Sequence, residues 1–232
     1  MASETADPSR PARRRGRRKP SDAGARPPVA RLAASQLKRL RRIVDAAVGL
    51  AEKGGFEAVR LRDVAEASDV ALGTLYKYFR SKEDILVFAL SEEVERLEAA
   101  TAARPPEGST PLDRLTRFFE RATYGMTRRP NFARAVLRSI AGGDHEIATQ
   151  VAAFHLRMTR LIVACLRGEA PNLMAPLAET TGSEREGQMA FVLQNVWFAS
   201  LAGWAGGLHP AKVVAEQMRV AAALMLNPGT EG

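Results

Sequence analysis

Arg60-Leu61-Arg62-Asp63-Val64-Ala65-Glu66-Ala67-Ser68-Asp69-Val70-Ala71-Leu72-Gly73-Thr74-Leu75-Tyr76-Lys77-Tyr78-Phe79 is the stretch that decides the fold. Leu61, Val64 and Ala65 recur at helical spacing and predict a short helix over residues 61–67. Leu75 and Phe79, one turn apart, predict another over 71–79, with Ser68-Asp69-Val70 as the turn between them. Two short helices across so tight a turn have the scale of a helix-turn-helix, whose second helix lies in the major groove of DNA. With Leu75 and Phe79 turned inward, Gly73, Thr74 and Lys77 face outward. Gly73 lets a backbone come close, Thr74 offers a hydroxyl and Lys77 a flexible cation. Tyr76 and Tyr78 flank this side with phenol groups suited to phosphate oxygens. Lys82, in the first turn of the next helix, sits near a positive dipole end where a phosphate is attracted. A helical hairpin inside any bundle shows the same periodicity.

Outward from this unit the signals stay helical, and no long stretch alternates with period two, so the expected fold class is all-α with nine helices. Leu40, Ile43, Val44 and Ala47 place a first helix over 35–53, stopped by Gly54 and Gly55. Ser81 opens a fourth, with Asp84 three residues on, running to residue 103 before Pro105 and Pro106. Thr110-Pro111 caps a fifth to residue 128, and Pro130 breaks it before a sixth over 131–140. Asp144 caps a seventh, closed by Gly168, with Ile147, Val151, Phe154, Met158, Leu161, Ile162 and Cys165 on one face. Ser183 and Glu186 form a capping-box pattern for an eighth helix to residue 205, apolar on nearly every side, and the ninth spans 211–226.

Charge is unevenly placed. Of 34 Lys and Arg, thirteen lie in residues 1–42 beside three of the 26 acidic residues, so the remainder of the chain is slightly acidic. A basic arm over 1–33, poor in bulky apolar residues, is expected to be disordered and to seek a polyanion by counterion release. The helix-turn-helix, residues 43–80, carries five Lys and Arg against six acids, so the arm is expected to supply much of the non-specific attraction. One cysteine, Cys165, excludes an internal disulfide, and no apolar run reaches the roughly 18 residues of a membrane span, which together predict a soluble cytoplasmic protein without membrane partners.

The runs Gly55-Phe56-Glu57-Ala58, Arg62-Asp63-Val64-Ala65, residues 70–79 and Ser81-Lys82-Glu83-Asp84 resemble the tetracycline-repressor (TetR) family over residues 35–90. The resemblance implies a nine-helix, two-domain architecture, with a DNA-binding domain at 34–80 and a ligand-binding and dimerisation domain at 81–232. It implies that Thr74, Tyr76, Lys77, Tyr78 and Lys82 belong to the DNA surface and that Ala71 and Leu72 open the recognition helix. Where members often carry Thr or Ser ahead of the second helix, this chain has Val59 and Arg60, which frees Arg60 for phosphate. Leu72 replaces a commonly polar residue. The segments Lys53 to Val59, Val70 to Tyr76 and Val196-Trp197-Phe198-Ala199-Ser200-Leu201 are similar to those of actinobacterial repressors of cholesterol and steroid breakdown, which respond to steroid acyl-CoA derivatives.

Helix-turn-helix modules usually read pseudo-palindromes as symmetric dimers. The helices near 184–205 and 211–226, the latter with Val213, Val214, Met218, Val220, Ala221 and Leu224, are the expected homodimer surface. A cavity among the fifth to eighth helices is expected to take a small, largely apolar effector, with Phe118, Phe119, Tyr124, Phe132, Phe154, Met158, Trp197 and Trp204 as candidate lining and operator DNA as the other partner. His145, His155 and His209 fall in no HExxH or similar pattern, and there is no CxxC, GxSxG or phosphate loop, so neither cofactor, metal nor catalysis is expected. The alternatives are a non-specific DNA-coating protein and, further off, an all-helical enzyme.

Overall fold

The computed structural model describes residues 33–142 and 145–227, with the side chain of Glu146 excepted; the expected basic arm over 1–33 lies almost wholly outside them, as does the Asp144 cap. Among the described residues there are nine α-helices and no strand: α1 (Ala34–Ala58), α2 (Leu61–Ala67), α3 (Leu72–Leu75), α4 (Lys82–Ala103), α5 (Pro111–Thr127), α6 (Pro130–Ala141), α7 (Ala148–Arg167), α8 (Glu184–Ala205) and α9 (Ala211–Leu226).

The ends fall where the capping chemistry puts them. The backbone leaves helical geometry at Gly54 and Gly55, the latter at φ 68 and ψ −160, a region closed to side chains, and a last turn follows. Ser81 Oγ accepts from Asp84 N, Thr110 Oγ1 from Asp113 N, and Ser183 Oγ from Glu186 N. Gly168 ends α7 in the left-handed conformation, φ 73. The seventh helix begins later than expected, at Ala148 after a 3-10 turn over His145–Ile147.

The third helix is shorter than the predicted 71–79. The regular helix ends at Leu75; beyond it Lys77 N and Tyr78 N donate three residues back, to Thr74 O and Leu75 O, tightening the chain into turns, while Phe79 N still donates four back, to Leu75 O.

Two apolar cores share α6. Leu40, Ile43, Val64, Leu75, Phe79, Ile85 and Leu86 form one with Phe132, Ala135 and Val136; Leu115, Phe118, Leu161, Ile162, Leu193 and Met218 form the other with Ala133 and Leu137. Met126 of α5 and Phe154 of α7 pack against both. The packing of α6 along α1 is reinforced by polar ties. Arg129 donates to Glu52, Asn131 Nδ2 donates to Glu52 O at 2.9 Å, and Arg138 pairs with Glu57 at 2.7 Å. Cys165 is buried core, and its thiol is pushed up to about 12 by desolvation.

Candidate DNA-reading face and ligand cavity

The turn between α2 and α3 is set by local bonds. Ser68 Oγ donates to Val64 O at 2.7 Å, Asp69 takes φ 52, which Asp tolerates, and Arg42 of α1 reaches Asp69 at 3.3 Å. These place α3 against α2, with Leu75 and, beyond the helix, Phe79 fully buried. Ala71, Gly73, Tyr76 and Lys77 are then exposed and Thr74 half-buried on one side, with Arg60 exposed ahead of α2. No cap is made by the Arg60 side chain. A Cβ built on Gly73 meets nothing within 4 Å, so the glycine is not required by the fold itself.

Three expected contacts sit differently. Tyr78 is 7% exposed and part of the first core, because it lies three residues from Leu75 and therefore on the same inward side. Leu72 is half-buried and packs against that core. Lys82 is engaged within the chain: its Nζ donates to Phe56 O at 3.2 Å, lies 3.7 Å from the Phe56 ring centroid and 3.7 Å from Glu57. Arg138 of α6 covers the same ring at 4.4 Å.

Between α4, α5, α6, α7 and α8, at the seam of the two cores, lie two adjoining hollows. The outer, about 60 Å³, is walled by Val94, Leu97, Ala122, Gly125, Phe132 and Met158, with Glu93, Arg121 and Arg129 at its polar edge. Arg129 Nη1 donates to Glu93 Oε1 at 3.1 Å, whereas Arg121 Nη1 donates to the carbonyl of Arg104 at 3.3 Å. The inner, about 30 Å³, is walled by Val136, Leu137, Ile140, Val151, Phe198 and Leu201 with His155 and Gln194. Leu90, Met126, Phe154 and Trp197 belong to both.

Of the eight lining candidates read from sequence, Phe132, Phe154, Met158 and Trp197 border these hollows. Phe118 and Phe119 are fully buried core and border neither, Trp204 packs in the second core under Arg134, and Tyr124 is 71% exposed on the surface. The charged edge and the His155–Gln194 pair were missed. Aromatic residues advertise bulk, but only their three-dimensional neighbours say whether that bulk leaves a space.

A shallow groove of about 650 Å³ runs between α8 and α9, bordered by Val196, Ala199, Gly203, Leu208, Val220 and Leu224. The apolar stripe of α9 divides here. Val214 and Met218 are wholly buried within the chain, while Val220 and Leu224 face out, and Phe191 and Val192 of α8 are exposed too. A single chain therefore leaves part of the apolar surface of α8 uncovered.

An outward-facing recognition turn held by a small helical core, joined through α4 to a helical body, defines a bacterial helix-turn-helix regulatory protein. Residues 43–87 match the family described as "Bacterial regulatory proteins, tetR family", and residues 108–225 match "Tetracyclin repressor-like, C-terminal domain". The chain is 34% identical over 196 residues to the HTH-type transcriptional repressor KstR of Rhodococcus jostii, covering 84% of this chain and 86% of that one. It therefore belongs to the tetR family, whose members are regulators and not enzymes. Its fold is that of a TetR transcriptional regulator from Rhodococcus sp. RHA1, TM-score 0.70 at 22% identity, over 83% of this chain and 97% of that one. Thermus thermophilus FadR, a TetR-family repressor solved with lauroyl-CoA, matches at TM-score 0.57 and 21% identity, over 83% of this chain and all of that one, 100%. No helix among the described residues is long and apolar enough to cross a membrane.

Proposed function

We propose that this chain is a cytoplasmic transcriptional repressor that binds a palindromic operator as a homodimer and is released when a largely apolar effector fills the hollows between α4 and α8. Residues 34–80 are the DNA-reading unit and residues 81–232 the ligand-binding and dimerisation unit. The observation that carries this reading is the outward side of α3 and the turn after it, with Gly73 and Lys77 exposed and Thr74 half-buried above buried Leu75 and Phe79. Thr74 and Tyr76 offer hydroxyls and Arg60 and Lys77 cations to the duplex, with Gly73 admitting the backbone at Ala71 and Leu72. Tyr78 is buried and has little surface to offer, and Lys82 must leave Glu57 to meet a phosphate.

The groove between α8 and α9, with Val220 and Leu224 unpaired on its wall, supports a two-fold four-helix interface. Similarity to KstR and to a repressor solved with lauroyl-CoA supports an effector of the steroid or acyl-CoA class, its body in the hollows and its polar tail beside Arg121. Leu90 of α4 borders both hollows, and α4 begins at the reading head. A ligand that favours one placement of α4 shifts the dimer between operator-competent and released spacings by its differential affinity.

Selection of bound duplexes from a random pool tests the operator reading. A palindrome is expected; uniform recovery of all sequences would replace the repressor by a non-specific DNA-coating protein. A thermal-shift panel of steroids, fatty acids and acyl-CoAs tests the effector reading, with stabilisation by at least one of them expected.

A further inference from the structure

The inner hollow is apolar almost throughout, yet a polar chain runs along its wall. His155 Nδ1 of α7 lies 2.9 Å from Gln194 Oε1 of α8, and Gln194 Nε2 donates to Thr159 Oγ1 at 2.9 Å. Gln194 and Thr159 are buried, and both ends of the Gln194 amide are thereby committed. The other polar group on the shared wall, the Trp197 indole N–H, is committed too, donating to Thr123 Oγ1 at 3.0 Å. With Nδ1 held by Gln194, the remaining ring nitrogen of His155, Nε2, is the group left to meet an occupant. Which way it is wired is adjustable. When Gln194 accepts at Oε1, neutral His155 carries its proton on Nδ1 and presents a lone pair at Nε2; turned over, the amide accepts from Thr159 and donates to Nδ1, and Nε2 becomes the donor.

From this geometry we infer that His155, positioned by Gln194 and Thr159, reads a single hydroxyl or carbonyl oxygen at the buried end of the effector. The inference rests on the effector reading above and names the ligand chemistry that reading leaves open: an elongated apolar body, polar at its solvent end and carrying one oxygen at the other. The adjoining hollows share Leu90, Met126, Phe154 and Trp197 and are small, so one long body spans both by displacing flexible Met126, rotating Phe154 and parting the helices around them. An occupant without the oxygen leaves Nε2 facing hydrocarbon, which costs binding by the desolvation of an unmade hydrogen bond.

Three steroid acids that differ only at the ring position farthest from the carboxylate provide the test: 3-hydroxycholanic, 3-oxocholanic and unsubstituted cholanic acid. Binding is followed by Trp197 and Trp204 fluorescence and by release of the selected operator. At least one oxygenated acid is expected to bind about tenfold tighter than cholanic acid. In His155→Phe, and in Gln194→Met as a second variant of similar bulk, that preference is expected to vanish while cholanic acid binds as well or better. Equal affinity of the unaltered protein for all three acids, or a preference that survives both substitutions, overturns the inference and leaves the effector reading standing. Failure of all three acids to bind overturns the inference; if the steroid, fatty-acid and acyl-CoA panel also fails, the effector reading goes with it.

Discussion

Arg160 of α7 donates to Glu98 of α4 across 2.7 Å, with both side chains almost wholly out of water. Arg157 holds the other Glu98 oxygen at 2.6 Å, and Arg160 also donates to Asn172 O at 3.1 Å, so the buried carboxylate is satisfied from two sides. At the opposite end of α4, Gln150 Nε2 of α7 donates to buried Asp84 at 2.6 Å. The helix that follows the helix-turn-helix is thus pinned to α7 near both ends, and the two hollows lie between the pins.

Removing one partner of this buried pair strands the other. Arg160→Leu is expected to lower the unfolding free energy by roughly 3 kcal/mol, partly offset because Arg157 remains beside Glu98. Urea unfolding measures it, and a loss below about 1 kcal/mol would show that Arg157 and water suffice.

Gly73→Ala separates folding from reading. With open space around the added methyl and no positive φ, the substitution should leave stability unchanged or raise it by about 0.5–1 kcal/mol. Affinity for the selected operator should fall, since in the proposed complex the methyl would stand where the backbone approaches base pairs. Titration of the variant with operator duplex checks this, and full retained affinity would place the DNA elsewhere.

Lys77→Ala should weaken binding to every duplex and reduce the slope of log K against log salt by about 0.9, the share of one phosphate contact. Fluorescence anisotropy across a salt series gives the slope. An unaltered slope would mean that Lys77 points to solvent in the complex.

Leu224 is 70% exposed and belongs to neither apolar core of its own chain. Leu224→Asp should therefore fold normally, sediment as a monomer and bind operator roughly tenfold or more weakly, having lost the second half-site. Sedimentation as a dimer would move the interface away from α9.

Acid should expose the clamp between α7 and α8. Arg167, donating to Glu186 at 2.8 and 2.7 Å, holds that carboxyl down to about 2 from an ordinary 4.5, with the Ser183 bonds adding to it. A carboxyl depressed by folding stabilises the protein above its unfolded value and loses that contribution as pH falls through the folded one. The melting temperatures of the parent protein and Glu186→Gln should differ at pH 7 and converge between pH 4.5 and 2; a constant gap would assign the effect to packing. Solvent around Arg167 keeps the gap small.

Helix positions were legible because their signals are local. Ser81, Thr110, Ser183, Gly55 and Gly168 cap or stop a helix through atoms within four residues, and Leu61, Val64 and Ala65 announce their face by spacing alone. Tyr78 was also legible, three residues after Leu75, but its phenol drew attention to the wrong side. What the chain could not declare by itself was which apolar surfaces meet. Met218 and Val220 are equivalent on paper, yet one is sealed under α5 and α8 and the other left open, because burial is a property of neighbours distant in sequence. The same holds for the hollows: Phe118 fills space and Phe154 borders it, and His155 finds Gln194 only when α7 and α8 are laid side by side. Local hydrogen bonding wrote the elements; long-range packing decided the cavity, the open face and the polar chain within.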